Sequence, residues 1–218
     1  MGVLDPIYAK PLAVRLISQV APEYARVLGL RPDQRSLGIL TADNDDATYV
    51  SIDEATKKAD VEVIYAHSFY AGAKHASGPL SGEIIAMLAG PGPAEVRSGL
   101  DAAVQYLTTS ALWYSANDDN SIAFFPHVIS QTGSYLSKIC QVPIRTPIAY
   151  LIAPPLEGAL ALDFALKSAA VNIVSYTPPP SETNFMGVIL TGDQSACEAA
   201  AIAFQEMVLE IALHPLDY

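Results

Sequence analysis

The sequence predicts an α+β protein built from two tandem copies of one small unit, residues 1–110 and residues 111–218. Two observations predict it. Three blocks of residues recur in the same order in both halves, and each half alternates short apolar runs of strand length with stretches of helical period. A length of 218 residues gives each copy an ordinary domain size.

The first block pairs Arg15–Leu30 with His127–Val142 at an offset of 112 residues and keeps Ile-Ser-Gln. The second pairs DEATKKADVEVI from Asp53 with DFALKSAAVNIV from Asp163 at an offset of 110, with Asp, Ala, Lys, Ala and Val identical. The third pairs Leu88–Leu107 with Leu190–Leu209 at an offset of 102 and keeps Gly90/Gly192 and Ala94/Ala196. The drop of 8 residues between the last two blocks predicts a longer connection after Ile64 in the first copy.

Along the first copy, Val14–Val20 reads as a strand. Pro22 then suits the first turn of a short helix ending near Gly29, because that turn makes no use of the N–H that proline lacks. Ser36–Ala42 is an apolar run closed by turn residues, as in a buried strand. Ser51 and Glu54 have the spacing of a capping box and predict a helix running to about Ala59. Val61–Phe69 and Glu83–Ala89 read as two more strands. Pro93–Ser110 reads as a long helix with Val96, Leu100, Ala103, Val104 and Leu107 on one face. The order is β-α-β-α-β-β-α. The second copy repeats it, with strands near Ile122, Ile148, Val171 and Met186 and helices near Gly133, Leu156 and Ser195. Each unit is expected to be a sheet with helices on a face.

Composition narrows the function classes. Only 16% of residues are charged, against about 25% in a typical soluble domain. A surface on the order of 10,000 Å² then carries apolar patches of the kind that mark interfaces, so an oligomer is expected. The net charge of −11 has the wrong sign for gripping phosphate backbones, which excludes nucleic acid as a partner. Met1–Lys10 lacks a basic stretch followed by an apolar core. No window approaches the roughly 18 uninterrupted apolar residues of a membrane span, so a cytoplasmic protein without membrane contact is expected. Cys140 and Cys197 have no partner at metal-ligand or CxxC spacing and read as buried free thiols.

Catalytic motifs are missing. GPLSGE around Ser81 lacks the spacing of a nucleophile elbow, and no phosphate loop ending in GK followed by Ser or Thr occurs. In the GPGP run at Gly90–Pro93, proline removes the amide donors that a dinucleotide fingerprint needs, so the run reads as a turn before a helix. His67, His75, His127 and His214 are scattered; His67 and His75, in the longer connection, leave adventitious metal binding open. No catalytic residue, resident metal or cofactor is expected.

Three segments remain as candidates. The run Asp43, Asn44, Asp45, Asp46 follows a strand and reads as a surface loop, either a solvated turn or a cation site. An EF-hand would need Gly at its sixth position, where Thr48 stands. Trp113 and Tyr114 open the polar, turn-rich boundary between the halves. YTPPPSETN, Tyr176–Asn184, carries three prolines that favour extended backbone; it reads as a rigid loop fixing Glu182 and Asn184 at a surface, as a plain spacer, or as a motif for a proline-binding domain.

RSLGILTADNDDATYVSIDEATKKA, VEVIYAHSFYAG, APPLEGALALDFALKSA and YTPPPSETNF resemble the tandem-domain shell proteins of the ethanolamine-utilization bacterial microcompartment, over nearly the whole chain. The resemblance implies two circularly permuted microcompartment-shell (BMC) domains, each a mainly antiparallel sheet with helices. It implies that three chains form a flat pseudohexameric tile, a homotrimer. The order read above matches that permutation: the ordinary shell domain with its last strand and helix moved to the front. Other shell proteins become expected partners, and a small metabolite such as ethanolamine an expected passenger. It also implies that Asp45, Asp46, Glu83, Trp113, Glu182, Thr183 and Asn184 line a pore or bind a ligand. Carboxylates and aromatic faces in one constriction suit small organic cations. The alternative from another class is a trimeric, soluble, metabolite-sensing regulator.

Overall fold

The computed structural model describes residues 2–69 and 78–217. His75, left open above for metal, lies outside the described residues. The chain forms ten strands and six helices among the described residues: β1 (Pro6–Tyr8), β2 (Pro11–Ile17), α1 (Pro22–Val27), β3 (Ser36–Ala42), α2 (Asp45–Lys58), β4 (Glu62–Ser68), β5 (Ile84–Gly90), α3 (Pro93–Thr109), β6 (Leu112–Ser115), β7 (Ala123–Ile129), α4 (Ser134–Cys140), β8 (Ile148–Ala153), α5 (Pro155–Ser168), β9 (Asn172–Thr177), β10 (Met186–Thr191) and α6 (Gln194–Leu213). From β2 to α3 and again from β7 to α6 the order is β-α-β-α-β-β-α, as the sequence predicts.

Two compact units result. One comprises Tyr8–Ala111 with Gly133–Leu136, the other Met1–Ile7, Leu112–Thr132 and Ser137–Tyr218. The cut falls one residue from the expected 110/111, but residues 1–7 and 133–136 are exchanged. The N-terminus goes with the second unit because the Leu4 amide donates to the Ser115 carbonyl at 2.8 Å and the Ser115 amide to Asp5 at 3.1 Å.

In the first unit the sheet order is β2-β3-β5-β4; in the second, β7-β8-β10-β9 repeats it, with β6 and β1 added beyond β7. The paired strands named here are antiparallel. Ala42 faces Ile84 across β3 and β5 as Ala153 faces Met186 across β8 and β10. Even the irregularities correspond: β4 slips register between Val63 and Tyr65, and β9 slips between Ile173 and Ser175. A bulge kept at matching places in two strands is a designed feature rather than noise, so the halves are copies.

Central strands read as continuous apolar runs because both faces are covered. In β3, Leu40 faces α2 and α3 in a core with Ile52, Ala55, Leu88, Val96 and Leu100, whereas Leu37 and Ile39 cluster with Ala25 of α1 and with Leu28, which follows it. Gly38 lets α3 approach: a Cβ there would stand 2.8 Å from Val96 and 2.9 Å from Leu100. The second unit packs Phe124, Leu151, Val188 and Leu190 against a small-residue seam of Ala161, Ala165, Ala200 and Ala201 between α5 and α6.

Three expectations are corrected. β2 begins and ends three residues earlier than read. α2 begins at Asp45, six residues before the supposed capping box, because the Asn44 side chain accepts the Ala47 amide at 2.8 Å and caps the helix there. Ser51 is mid-helix, its hydroxyl donating to the Ala47 carbonyl at 2.6 Å. Trp113 and Tyr114 are not in a turn but in β6, where Tyr114 pairs with Phe124.

Candidate functional site

The candidates fall at one corner of each unit, and the two corners are counterparts. In the first unit, β3 runs into α2 through Asp43 and Asn44, and β5 is entered through Gly82 and Glu83. The Glu83 amide donates to the Ala42 carbonyl at 2.9 Å, which brings the two loops together. Gly82 makes the approach possible. Its φ is +64°, and a Cβ there would lie 1.9 Å from the Ala42 oxygen.

The acidic run is therefore no surface loop. Asp45 and Asp46 are buried in the first turn of α2, where the unsatisfied amides favour negative charge. Asp45 Oδ1 accepts the Asp46 amide at 2.9 Å. Asp43 is tied to the strand beside it, its Oδ1 accepting the Lys10 amide at 2.6 Å while its own amide donates to the Lys10 carbonyl at 3.1 Å. Glu83, half-buried among these carboxylates, is pushed up to about 7, first by burial and then by repulsion from Asp45 and Asp43. Burial likewise raises the Tyr49 phenol; its oxygen accepts the Ser68 amide at 3.1 Å. Among the described residues, no group of three or more His, Cys, Asp or Glu is arranged to hold a metal ion. What this corner offers is a negative potential with one carboxyl poised near neutrality.

In the second unit the same corner is apolar. Asn44, Asp45 and Asp46 correspond to Pro154, Pro155 and Leu156, and Glu83 to Phe185, while Asp43 has no counterpart because a single residue links β8 to α5. Phe185 meets Trp113 edge-on at 5.1 Å, and Trp113 stacks on Phe125 at 5.5 Å, with Phe125 in turn against His127 and Tyr150. Trp113 is thus a buried packing aromatic within this unit. Glu182, Thr183 and Asn184 form the turn before β10. Ser181 closes it, its amide donating to the Phe185 carbonyl at 2.8 Å and its carbonyl accepting from Asn184 at 3.0 Å. Glu182 and Asn184 are exposed. The seven candidates are therefore two sets, Asp45, Asp46 and Glu83 in one unit and Trp113, Glu182, Thr183 and Asn184 in the other. Sequence reading missed Gly82, whose signal was a glycine immediately before the candidate acid Glu83.

A shallow cleft of about 400 Å³ beside α1 is lined by Arg26, Arg31 and Arg35. It is no vacant anion site. Arg26 pairs with Glu23, Arg31 with Asp33 and Glu62, and Arg35 donates to the Pro91 carbonyl.

A model of the BMC domain matches residues 36–116 and 156–214. The first match begins at β3, after β2 and α1; the second begins in α5, after β7, α4 and β8. The chain is 51% identical over 217 residues to the bacterial microcompartment shell protein EutL of Escherichia coli (strain K12), spanning 100% of this chain and 99% of that protein. It is also 51% identical to EutL of Clostridium perfringens (strain 13 / Type A), over 98% of this chain and 99% of that one. The crystal structure of ethanolamine utilization protein EutL from Leptotrichia buccalis superposes with a TM-score of 0.95 at 56% identity, covering both chains completely. A trimeric bacterial microcompartment shell protein, PduB, shares the fold at a TM-score of 0.76 and 20% identity, over 94% of this chain and 89% of that one.

Proposed function

This chain belongs to the BMC-domain family of bacterial microcompartment shell proteins, and we propose that it is a trimeric shell tile whose acidic corner lines a path for small organic cations. The shell role rests on identity of 51% along the entire chain to named shell proteins, joined to a fold in which one strand order occurs twice. Those relatives favour a tile over a metabolite-sensing regulator. The ethanolamine utilization in the name of a 56% identical neighbour makes ethanolamine the first cation to try.

Three chains with two like lobes each would close as a six-lobed ring through heterologous contacts. Duplication then frees the lobes to diverge, which a ring of six identical subunits cannot do. The divergence at the matched corners supports this: carboxylates in one copy, proline and phenylalanine in the other. A protonated amine would be drawn to the ionised carboxylates, and weak binding suits passage because a pore ligand must leave again. The role is structural and conductive, with no chemical step assigned to any side chain. The tile works at the shell, alongside other shell proteins.

The carrying observation is the Glu83 corner, and calorimetry with ethanolamine tests it. Asp45→Asn and Glu83→Gln are expected to weaken binding at least severalfold. A parent and two variants with equal affinity would remove the corner from the path.

A further inference from the structure

The two units trade segments, and the trade is made without slack. A chain ordinarily passes between domains through exposed, flexible linkers that few contacts hold. Here it leaves the second unit after Thr132, enters the first for Gly133–Leu136 and returns at Ser137. All four junction residues, Thr132, Gly133, Leu136 and Ser137, are buried.

In the first unit the segment is held by α2. The Asp53 carboxylate, itself out of contact with solvent, accepts the amides of Gly133 and Leu136 at 2.7 and 2.8 Å. Thr56 Oγ1 accepts the Ser134 amide at 3.0 Å, and the Tyr49 ring stacks on Tyr135 with centroids 6.2 Å apart. The approach requires glycine, since a Cβ on Gly133 would stand 2.5 Å from the Asp53 carbonyl oxygen. The arrangement is made once: Asp163, the counterpart of Asp53, is exposed and pairs with Lys167.

In the second unit the flanking residues are held just as firmly. The Thr132 amide donates to the Thr146 carbonyl at 3.1 Å, and the Thr132 carbonyl accepts the Arg145 amide at 2.9 Å. The Ser137 hydroxyl donates to Thr132 Oγ1 at 2.8 Å. Twice, therefore, consecutive residues are anchored in different units, and the second crossing falls inside α4, where there is no loop to pay out. The N-terminus makes the reverse exchange, with Leu4 and Asp5 bonded to Ser115 of the second unit.

Separate domains ordinarily unfold in separate transitions. Here, opening α2 alone would strip the Gly133 and Leu136 amides of their acceptor while the residues beside them stayed held in the second unit. Donors stranded in that way are costly, so partial opening is penalised from both sides. We propose that residues 132–137 are a strap that makes the two copies unfold as one, with the Asp53 carboxylate as its fastening. Duplication has then produced a chain whose halves are no longer independent, although each has its own sheet and core.

Native-state hydrogen exchange on the full chain tests the strap, because it reads the opening of each strand separately. Leu40→Ala weakens the core of the first unit only; Val96→Ala is the milder choice if that variant does not fold. With the strap intact, the substitution is expected to speed exchange in β3 and in β8 of the second unit by a common factor, about tenfold or more. With Asp53→Ala added, β3 is expected to open still faster while β8 returns to the rate of Asp53→Ala alone. A double variant whose first unit is unfolded while β8 stays protected gives the same answer. If Leu40→Ala leaves β8 unchanged in the parent, the units are independent and the strap is overturned. Coupling carried by other contacts, assembly of copies included, would survive Asp53→Ala, and that result would overturn it too.

Discussion

Gly82 and Asn184 stand at equivalent places in the two copies, 102 residues apart, and both have left-handed backbones, with φ of +64° and +69°. Each ends the hairpin connection before the last strand of its copy. The conformation outlived the residue type, because the turn geometry is needed to deliver the next strand and asparagine tolerates it. Gly82 has a second constraint that Asn184 lacks, contact with the Ala42 carbonyl.

Replacing each therefore has opposite consequences. Gly82→Ala is expected to cost more than about 2 kcal/mol, since it combines an unfavourable φ with a clash against backbone. Asn184→Gly is expected to stay within about 0.5 kcal/mol. Urea denaturation midpoints of the two variants check this.

Asp53 holds two backbone amides with a single carboxylate that is out of contact with solvent. Asp53→Ala strands both donors and is expected to cost about 3 kcal/mol. Asp53→Asn keeps one acceptor oxygen and is expected to cost less. Equal stabilities for parent and Asp53→Ala by denaturant unfolding would show that this carboxylate does not hold residues 133–136.

The Glu83 carboxyl lies at about 7 in the folded chain against an ordinary 4.5. Between those values the folded chain keeps a proton that the unfolded chain has released. Stability therefore falls as pH rises across the interval and levels off above it. Glu83→Gln removes this slope. It is expected to exceed the parent by about 1 kcal/mol near pH 8, a figure already discounted for the half-exposed setting, and to match it near pH 4. Thermal melts at the two pH values read the difference, and parallel profiles for parent and variant would contradict the assignment.

The order of elements was legible because it depends on local period and on punctuation by Gly and Pro, both written in short windows of sequence. Duplication was legible for the same reason: Asp53 and Asp163 sit in matching strings. Helix starts were less so. Ser51 and Glu54 imitate a capping box, but the Asn44 side chain caps about two turns earlier, and the burial of Val50 and Ile52 rewards the longer helix. β1 and β6 escaped notice because strands of three and four residues are too short for alternation to register. For the site, residue type identified the carboxylates but not their surroundings. Nor does a short window show that Asp45 and Asp46 are buried, or that Asp53 takes the amides of Gly133 and Leu136 some 80 positions away. The opposite fate of Trp113, buried against Phe125 and Phe185, likewise comes from strand pairing that no short window contains.

The most direct test of the central claim, that three chains each carrying the unit twice close into one tile, is the mass of the assembled protein by native mass spectrometry. The account predicts a dominant species near 70 kDa, three times the chain mass of 23.2 kDa. A species at the mass of a single chain across micromolar concentrations would contradict it.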